Sequence, residues 1–274
     1  GYEKNFPIYT ETESERVIKD FLKSKGLDVK GNTATLLFHI SKAKTANLKP
    51  LEYFDLIKND VYESDLIFEA YTYYENTLKS NNALDFDDLL IKTVELFETS
   101  KATLEKYSQR FQYINVDEFQ DTNLVQYDLV KLLSQKHKNV FVVGDEDQCI
   151  YTWRGASYQN ISKFISELGA KTFKLEYNYR SSPNILDIAN KVIKNNTARI
   201  DKTLKATKAS LCEPEYFQAY DEEAEAQYVV GKIKKLVSQG YEYKDMAILL
   251  RVSAISLAFE QALMSYNIPY NFYG

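Results

Sequence analysis

The amino-acid sequence predicts an α/β protein in which a mostly helical N-terminal subdomain precedes two parallel sheets covered by helices. Residues 10 to 83 repeat apolar side chains at helical spacing, without a convincing strand. From residue 84 onwards, short apolar runs typical of buried strands alternate with amphipathic helical segments. This alternation favours parallel strands, because a crossover between parallel strands usually takes a helix. The 274 residues are enough for about two domains.

The N-terminal segment opens with one of the clearest helices in the sequence. Thr10 and Glu13 have the spacing of a capping box, and Gly26 is a typical helix stop. One helical face between them is apolar and carries Val17, Ile18, Phe21 and Leu22. We therefore predict a helix over residues 10–26, followed by further helices to residue 83.

The remaining chain is predicted to alternate between strands and helices. The predicted strands cover residues 113–116, 140–143, 173–175, 216–219 and 246–250. One predicted helix begins near Asp85, and the others cover about residues 124–133, 182–192, 221–240 and 255–266. We divide the chain into a helical subdomain (1–83), a first α/β segment (84–172) and a second α/β segment (173–274).

Composition and charge exclude several classes of protein. The chain is 45% apolar and 27% charged, which rules out a fibrous or disordered protein. Its net charge of −5 gives no general sign of nucleic-acid binding, although a local basic groove is compatible with it. Cys149 and Cys212 lack CxxC spacing and the two histidines have no ligand cluster, so we expect neither a disulfide scaffold nor a zinc site. We expect a cytoplasmic protein, because no apolar run approaches the roughly 18 residues of a membrane span.

The strongest local signal follows the predicted strand 113–116, where Asp117, Glu118, Gln120 and Asp121 come almost without interruption. Ligands of an α/β sheet gather at the carboxyl ends of its strands. Two neighbouring carboxylates there suit a hydrated Mg²⁺, the first holding the metal and the second orienting water. The alternative is a solvated turn that caps the next helix.

A second polar cluster follows the predicted strand 140–143 and contains Gln148, Tyr151, Trp153 and Arg154. Adjacent strand ends lie side by side, so Gln148 could reach a phosphate or water held by the first cluster. The two aromatic residues, with Arg154 beside them, could form a stacking platform for unpaired bases. The alternative for both rings is packing in the core.

A third cluster lies between the predicted strand 173–175 and the helix that Ser182 and Pro183 are expected to start. It includes Tyr179 and Arg180. Arg180 has two interpretations. It could form a surface salt bridge, or it could stabilise charge on bound phosphate as an arginine finger.

Together the three clusters resemble motifs of the superfamily 1 DNA helicases, the UvrD/PcrA/Rep group. The run VDEFQDTN (116–123) is similar to the Walker B motif of that family. The run VVGDEDQCIYTWRGA (142–156) is similar to its third motif, and LEYNYRSS (175–182) is similar to its fourth motif. LDFDDLL (84–90) and NIPYNFYG (267–274) are also similar to that family. The resemblance covers most of the chain and is weakest over the N-terminal helical third.

The resemblance implies two incomplete RecA-like sheets of the P-loop NTPase type, with ATP and Mg²⁺ as cofactors. Asp117 would coordinate Mg²⁺, and Glu118 would polarise the attacking water. Gln120 and Asp121 would belong to the nucleotide site and link it to neighbouring motifs. Gln148 would sense the γ-phosphate.

The same resemblance implies single-stranded and junction DNA as partners. Tyr151, Trp153 and Arg154 would couple the nucleotide state to single-stranded DNA, with Trp153 stacking on a base. Tyr179 would stack on adenine, and Arg180 would be the arginine finger from the second RecA-like domain. In that family, ATP hydrolysis moves one RecA-like domain against the other along single-stranded DNA.

The sequence departs from the family at the phosphate-binding loop. A P-loop needs G-x-x-x-x-G-K-[ST], and the only Gly-Lys pair, Gly231-Lys232, is followed by Ile233. We interpret the chain as an internal piece of a longer ATP-dependent helicase in DNA repair or replication, inactive alone because Walker A is missing. The alternative is a non-catalytic DNA-binding or protein-interaction module on a degenerate helicase fold, for instance a naturally truncated paralogue.

Two smaller predictions concern single side chains. Lys42, Lys44 and Lys49 are expected on a solvated face of the helical subdomain, although they could also meet duplex phosphates. Cys149 is expected to be a small packing residue, because no base stands beside it.

Overall fold

The polypeptide forms two units, each with its own hydrophobic core. The structure is a computed structural model that describes residues 2–197, 199–210 and 213–273, so Cys212 lies outside the described residues. The first unit contains Gly1–Tyr177 and Ala189–Lys205, and the second contains Asn178–Ile188 and Ala206–Gly274. The α/β class predicted from the sequence is confirmed, since helices accompany short parallel strand pairs.

Four helices build the N-terminal part of the first unit: α1 (Glu11–Ser24), α2 (Val29–Thr45), α3 (Pro50–Ile57) and α4 (Ser64–Ser80). The start of α1 is as predicted, because the Glu13 carboxylate accepts a hydrogen bond from the Thr10 backbone N–H at 2.6 Å. Gly26 follows α1 with φ +68°, which explains the glycine there. The four helices share one core that includes Ile18, Leu36 and Tyr74.

A short strand pair borders the helical segment. Strand β1 (Ile8–Tyr9) pairs in parallel with β2 (Leu84–Asp85), and both strands lie just outside residues 10–83, where no strand was expected. Two residues are too few to show the alternating pattern that reveals a strand. The pairing brings both ends of the helical segment together.

Lys44 corrects a sequence prediction, because its side chain is 1% exposed and does not lie on a solvated face. Its Nζ atom lies 2.7 Å from Asp85 Oδ2, 2.8 Å from Glu75 Oε1 and 3.0 Å from Asp88 Oδ1. Burial alone would lower the pKa of this ammonium, but the three carboxylates raise it well above its usual value. The other two lysines named above are exposed, as predicted.

The rest of the first unit is built around a parallel strand pair. Its elements are α5 (Phe86–Thr99), α6 (Lys101–Arg110), β3 (Ile114–Val116), α7 (Leu124–Ser134), β4 (Val140–Val142) and α8 (Gln159–Leu168). Val116 of β3 pairs with Val142 of β4, which confirms the predicted parallel arrangement. Phe119, Tyr127 and Phe164 form the adjoining core. Both strands therefore end at the same edge, directly before Asp117 and Val143.

The remaining elements are β5 (Tyr177–Asn178), α9 (Pro183–Ile193), β6 (Lys205–Ala206), α10 (Glu222–Ser238) and α11 (Ser256–Ser265). Helix α10 begins as predicted, since Asp221 Oδ1 accepts a hydrogen bond from the Ala224 N–H at 2.7 Å. The core of the second unit lies between α10 and α11, with Val230 and Phe259 among its members. Within the described ranges, none of the helices combines the length and apolarity needed to cross a membrane.

Three predicted strands, residues 173–175, 216–219 and 246–250, are neither strand nor helix. A strand exists only through backbone hydrogen bonds to a neighbour, and in the described part of the chain these segments form no such ladder. The apolar pattern at residues 246–250 nevertheless places one face of the segment against the core. Ile248 packs against the second core, whereas Leu249 is 94% exposed.

Candidate functional site

Glu118 occupies a strained position at the point where β3 ends. Its backbone is left-handed (φ 48°, ψ 44°), a conformation that costs about 1 kcal/mol or more for a residue with a side chain. Asp117 Oδ1 accepts a hydrogen bond from the Glu118 N–H at 2.9 Å, which holds the turn. Both carboxylate residues are exposed at the carboxyl end of the strand. Strain of this kind is characteristic of functional sites.

Gln120 joins the two strand ends through one buried amide, only 2% exposed. Its Nε2 donates to Glu118 Oε2 at 2.8 Å, and its Oε1 accepts from the Asp145 N–H at 2.9 Å. A carboxylate only accepts and a backbone N–H only donates, so the two partners fix the orientation of the amide. Gln120 therefore holds Glu118 in a defined position. The Cys149 thiol donates to the Gln120 carbonyl at 3.3 Å, and its raised pKa, caused first by burial, fits the predicted packing role.

Gly144 allows the Gln120 side chain to lie close to the backbone that follows β4. A Cβ atom at this position would lie 2.8 Å from Gln120 Oε1 and 3.2 Å from the Phe119 backbone nitrogen. Contacts under 3.0 Å essentially never occur for real Cβ atoms, so a side chain here would displace the Gln120 amide. The sequence analysis assigned no role to this glycine beyond its membership of a motif.

Gln148 reaches the first cluster indirectly. It lies in the short helical turn Glu146–Gln148, and its Nε2 donates to Asp145 Oδ2 at 2.8 Å. Asp145 in turn contacts Gln120, which contacts Glu118. Partial burial raises the pKa of Asp145, but hydrogen bonds from Lys202 and Gln148 lower it below its ordinary value. The structure thus links Gln148 to Glu118 through two intermediate residues.

Asp121 has a carboxylate oxygen with unmet hydrogen-bonding capacity. Its Oδ1 atom is buried and has no hydrogen-bond partner among the described residues. An unsatisfied buried acceptor costs about 1–3 kcal/mol, so we expect a water molecule or a ligand to meet it. This expectation agrees with the predicted place of Asp121 in the nucleotide site.

Tyr151, Trp153 and Arg154 form one aromatic and cationic cluster. The Arg154 guanidinium lies 4.6 Å from the Trp153 ring centre and 5.6 Å from that of Tyr151. The Trp153 side chain is 65% exposed, so the alternative of core packing is wrong for this ring. An exposed indole with a cation beside it suits stacking on an unpaired base.

Gly155 places this aromatic loop against the helical subdomain. Its φ is +84°, and a Cβ atom there would lie 2.7 Å from Oγ1 and 2.8 Å from Cβ of Thr45, the last residue of α2. Thr45 is branched at Cβ and has little freedom to move aside. The loop that carries Trp153 therefore depends on a glycine at this position.

Replacing Gly155 with alanine is expected to displace the aromatic loop. The change combines left-handed strain with the contact to Thr45, and we expect a loss of about 2–3 kcal/mol in the free energy of unfolding. Trp153 is the only tryptophan, so its emission maximum and acrylamide quenching report on the loop directly. Gly169→Ala is the matched control, because Gly169 has φ +62° with nothing within 4 Å of its added Cβ. Unchanged Trp153 fluorescence in Gly155→Ala would contradict the prediction.

Tyr179 and Arg180 belong to the second unit, whereas the other predicted site residues belong to the first. Asn178 Oδ1 accepts hydrogen bonds from the Arg180 and Ser181 N–H groups at 3.0 and 2.8 Å, which shapes the turn before α9. Tyr179 is 73% exposed, and Arg180 is exposed as well. Arg180 forms no ion pair with any described residue, so its salt-bridge interpretation finds no support.

Two family models together match almost the whole chain. The UvrD/REP helicase N-terminal domain matches residues 1–169, and the UvrD-like helicase C-terminal domain matches residues 173–274. The chain belongs to the UvrD/REP helicase family.

Two relatives show how much of a family member the chain represents. It is 45% identical over 275 positions to the ATP-dependent DNA helicase PcrA of Staphylococcus epidermidis. It is 44% identical over 277 positions to the protein of the same name from Staphylococcus aureus. Each alignment covers the whole of this chain but 38% of the relative, so the chain spans well under half the length of these helicases.

The donor set at the end of β3 fits the Mg²⁺ that this family implies. In the described ranges, no group of three or more His, Cys, Asp or Glu side chains could hold a metal ion alone. Mg²⁺ usually keeps several waters and binds through one or two carboxylates together with substrate phosphates. Asp117 is exposed at the strand end and meets this requirement.

The structure links Asp117, Glu118, Gln120 and Gln148 through hydrogen bonds and adds residues that the sequence did not reveal. Tyr151, Trp153 and Arg154 form a separate cluster. Asp145 is the main addition, because it contacts both Gln120 and Gln148. Its position directly after β4 is a signal that could have identified it. Thr45 had no such signal, since its contact with the aromatic loop depends on the packing of α2.

Proposed function

We propose that this chain is part of an ATP-dependent DNA helicase that couples Mg-ATP hydrolysis to movement on single-stranded DNA and to duplex unwinding. The proposal extends to a role in DNA repair or replication, to junction DNA as a substrate and to a cytoplasmic location. The observation that carries it is the buried Gln120 amide, which joins Glu118 to the turn preceding the aromatic loop. We assign residues 1–83 to a helical insert, 84–172 to the first motor domain and 173–274 to the second.

The residues at the end of β3 would carry the chemistry. Asp117 would hold Mg²⁺, whose charge offsets that of the phosphate oxygens. Glu118 would orient the attacking water in line with the transferred phosphoryl group, with one carboxylate oxygen held by Gln120. Tyr179 would stack on adenine, and Arg180 would stabilise the developing negative charge.

The residues after β4 would connect this chemistry to DNA. The turn containing Gln148 continues within a few residues into the loop of Trp153 and Arg154. A shift of Gln148 on loss of the γ-phosphate would therefore move the stacking surface. Stacking on Trp153 tolerates any base, as translocation along DNA of arbitrary sequence requires.

The chain by itself is expected to hydrolyse ATP negligibly, because its 274 residues contain no P-loop lysine or amide cradle. We would measure ATP hydrolysis with and without oligo-dT for this chain and for a version extended to the length of its PcrA relatives. Activity only in the extended version would support the proposal. DNA-stimulated hydrolysis by the chain alone would contradict the prediction.

The second candidate is a non-catalytic DNA-binding or protein-interaction module. Exposure of Trp153 fits this alternative equally well. The strained backbone of Glu118 and the buried Gln120 that holds it favour the enzyme, since binding alone requires neither. If the extended version hydrolyses no ATP in the assay above, that result would favour the non-catalytic module.

A further inference from the structure

The turn after β4 concentrates negative charge beside the candidate site. Asp145, Glu146 and Asp147 are consecutive, and Asp145 is already connected to Glu118 through Gln120. Like charges this close repel one another, and the repulsion is stronger where side chains are partly buried. The turn therefore needs positive charge to keep its shape.

Two cationic side chains from a distant part of the chain supply that charge. Arg199 Nε lies 3.1 Å from both carboxylate oxygens of Asp147, and its Nη2 lies 2.8 Å from Oδ2. Lys202 Nζ lies 2.8 Å from Asp145 Oδ1 and 3.0 Å from both Glu146 Oε1 and Asp147 Oδ2. The Ile200 N–H also donates to Glu146 Oε1 at 2.8 Å.

These contacts are shielded from solvent, unlike ordinary surface pairs. The side chains of Arg199 and Asp147 are each 9% exposed, and that of Lys202 is 14% exposed. Burial would lower the pKa of Lys202, but its hydrogen bonds to the acidic turn raise it. Exposed pairs contribute little to stability, whereas shielded pairs with several hydrogen bonds fix geometry.

Lys202 is placed to control two residues of the candidate site at once. It binds one carboxylate oxygen of Asp145, whose other oxygen accepts from Gln148. The backbone N–H of the same Asp145 donates to Gln120. A rotation of the Asp145 side chain would therefore disturb Gln148, and a shift of its backbone would also disturb the amide that holds Glu118.

We propose that Lys202 and Arg199 are positioning residues for ATP hydrolysis, which they support by fixing the Asp145–Gln148 turn. This inference rests on the proposed function. Neither residue lies in the motifs that the sequence singled out. The chain enters the second unit at Ala206, shortly after Lys202, so the two cations tie the candidate site to the segment that leads there.

The first test compares Lys202→Met with Lys205→Met in the version extended to PcrA length. Lys205 is 57% exposed and stands three positions away, which makes it a matched control. We expect Lys202→Met to lower kcat of DNA-stimulated hydrolysis about 10- to 100-fold with KM for ATP within about twofold, because misplacement of a catalytic group affects turnover. Lys202→Arg, which keeps the charge, should recover most of the loss. Equal kcat for Lys202→Met and Lys205→Met would overturn the proposal.

A second test does not depend on ATP hydrolysis. Amide hydrogen exchange of this chain should show Asp145 and Gln148 exchanging about tenfold faster in Lys202→Met than in Lys205→Met, with α7 unchanged as evidence of folding. If the extended version without substitutions is inactive, that result contradicts only the proposed function. Faster exchange in Lys202→Met would still support the positioning of the turn by Lys202. Unchanged exchange of the turn would overturn the positioning role, whatever the activity.

Discussion

Replacing Glu118 with glutamine in the extended version is expected to lower kcat of DNA-stimulated ATP hydrolysis by about 10²- to 10⁴-fold, the usual contribution of a general base. Glutamine is nearly isosteric and keeps an oxygen that can accept the hydrogen bond from Gln120. The variant loses the negative charge that polarises water. Affinity for oligo-dT, measured by fluorescence anisotropy, should stay within about twofold, because the stacking surface around Trp153 is untouched.

The control for this substitution is Glu98→Gln, which removes an exposed carboxylate at the end of α5. We expect Glu98→Gln to match the unsubstituted protein in both turnover and DNA affinity. Unchanged turnover in Glu118→Gln would contradict the assigned role. Since a binding module has no use for the charge, that outcome would also favour the alternative function.

Replacing Lys44 with methionine is expected to have the largest effect on stability, a loss of about 3–5 kcal/mol in the free energy of unfolding. Methionine fills a similar volume but leaves Asp85, Asp88 and Glu75 without their shared cation. Urea unfolding of this chain measures the loss. Lys42→Met on the exposed face of α2 is the control, with an expected change within about 0.5 kcal/mol.

The loss in Lys44→Met should depend on pH in a defined direction. Burial first, and then the neighbouring carboxylates, raise the pKa of Asp88 to about 6, although Lys44 lowers it. Without Lys44 the folded-state pKa of Asp88 rises further above its unfolded value. Folding then becomes less favourable as the pH rises, because the unfolded state holds fewer protons. The destabilisation should be greater at about pH 8 than at about pH 5, and equal values would contradict this account.

The sequence predicted those elements whose signals are local. The capping box at Thr10 depends on a residue three positions away, and it was confirmed. The helix predicted from Asp221 was also confirmed and begins at Glu222. The pair β3 and β4 was predicted because each strand lies in a short, largely apolar run that ends in polar residues. The segment 246–250 has the same kind of pattern, but a strand also requires a partner, which its own residues do not specify.

The candidate site shows the same division between local and distant information. Spacing after β3 identified Glu118 and Gln120, because both follow the strand end directly. Lys202 could not be predicted, since it stands more than fifty residues along the chain from the turn it binds. Lys44 was misjudged because its long side chain turns inward to meet carboxylates from α4 and the start of α5, which no pattern within α2 reveals.

The parallel pair β1–β2 and the buried Lys44 together affect how the first unit should unfold. The strand pair joins Ile8 to Leu84, and Lys44 joins α2 to the start of α5. A cut at residue 83 would remove one strand of the pair and separate the cation from two of its carboxylates. The helical segment and the α/β segment after it should therefore melt as one cooperative transition in calorimetry. Neither half should be recoverable as a stable piece by limited proteolysis between them.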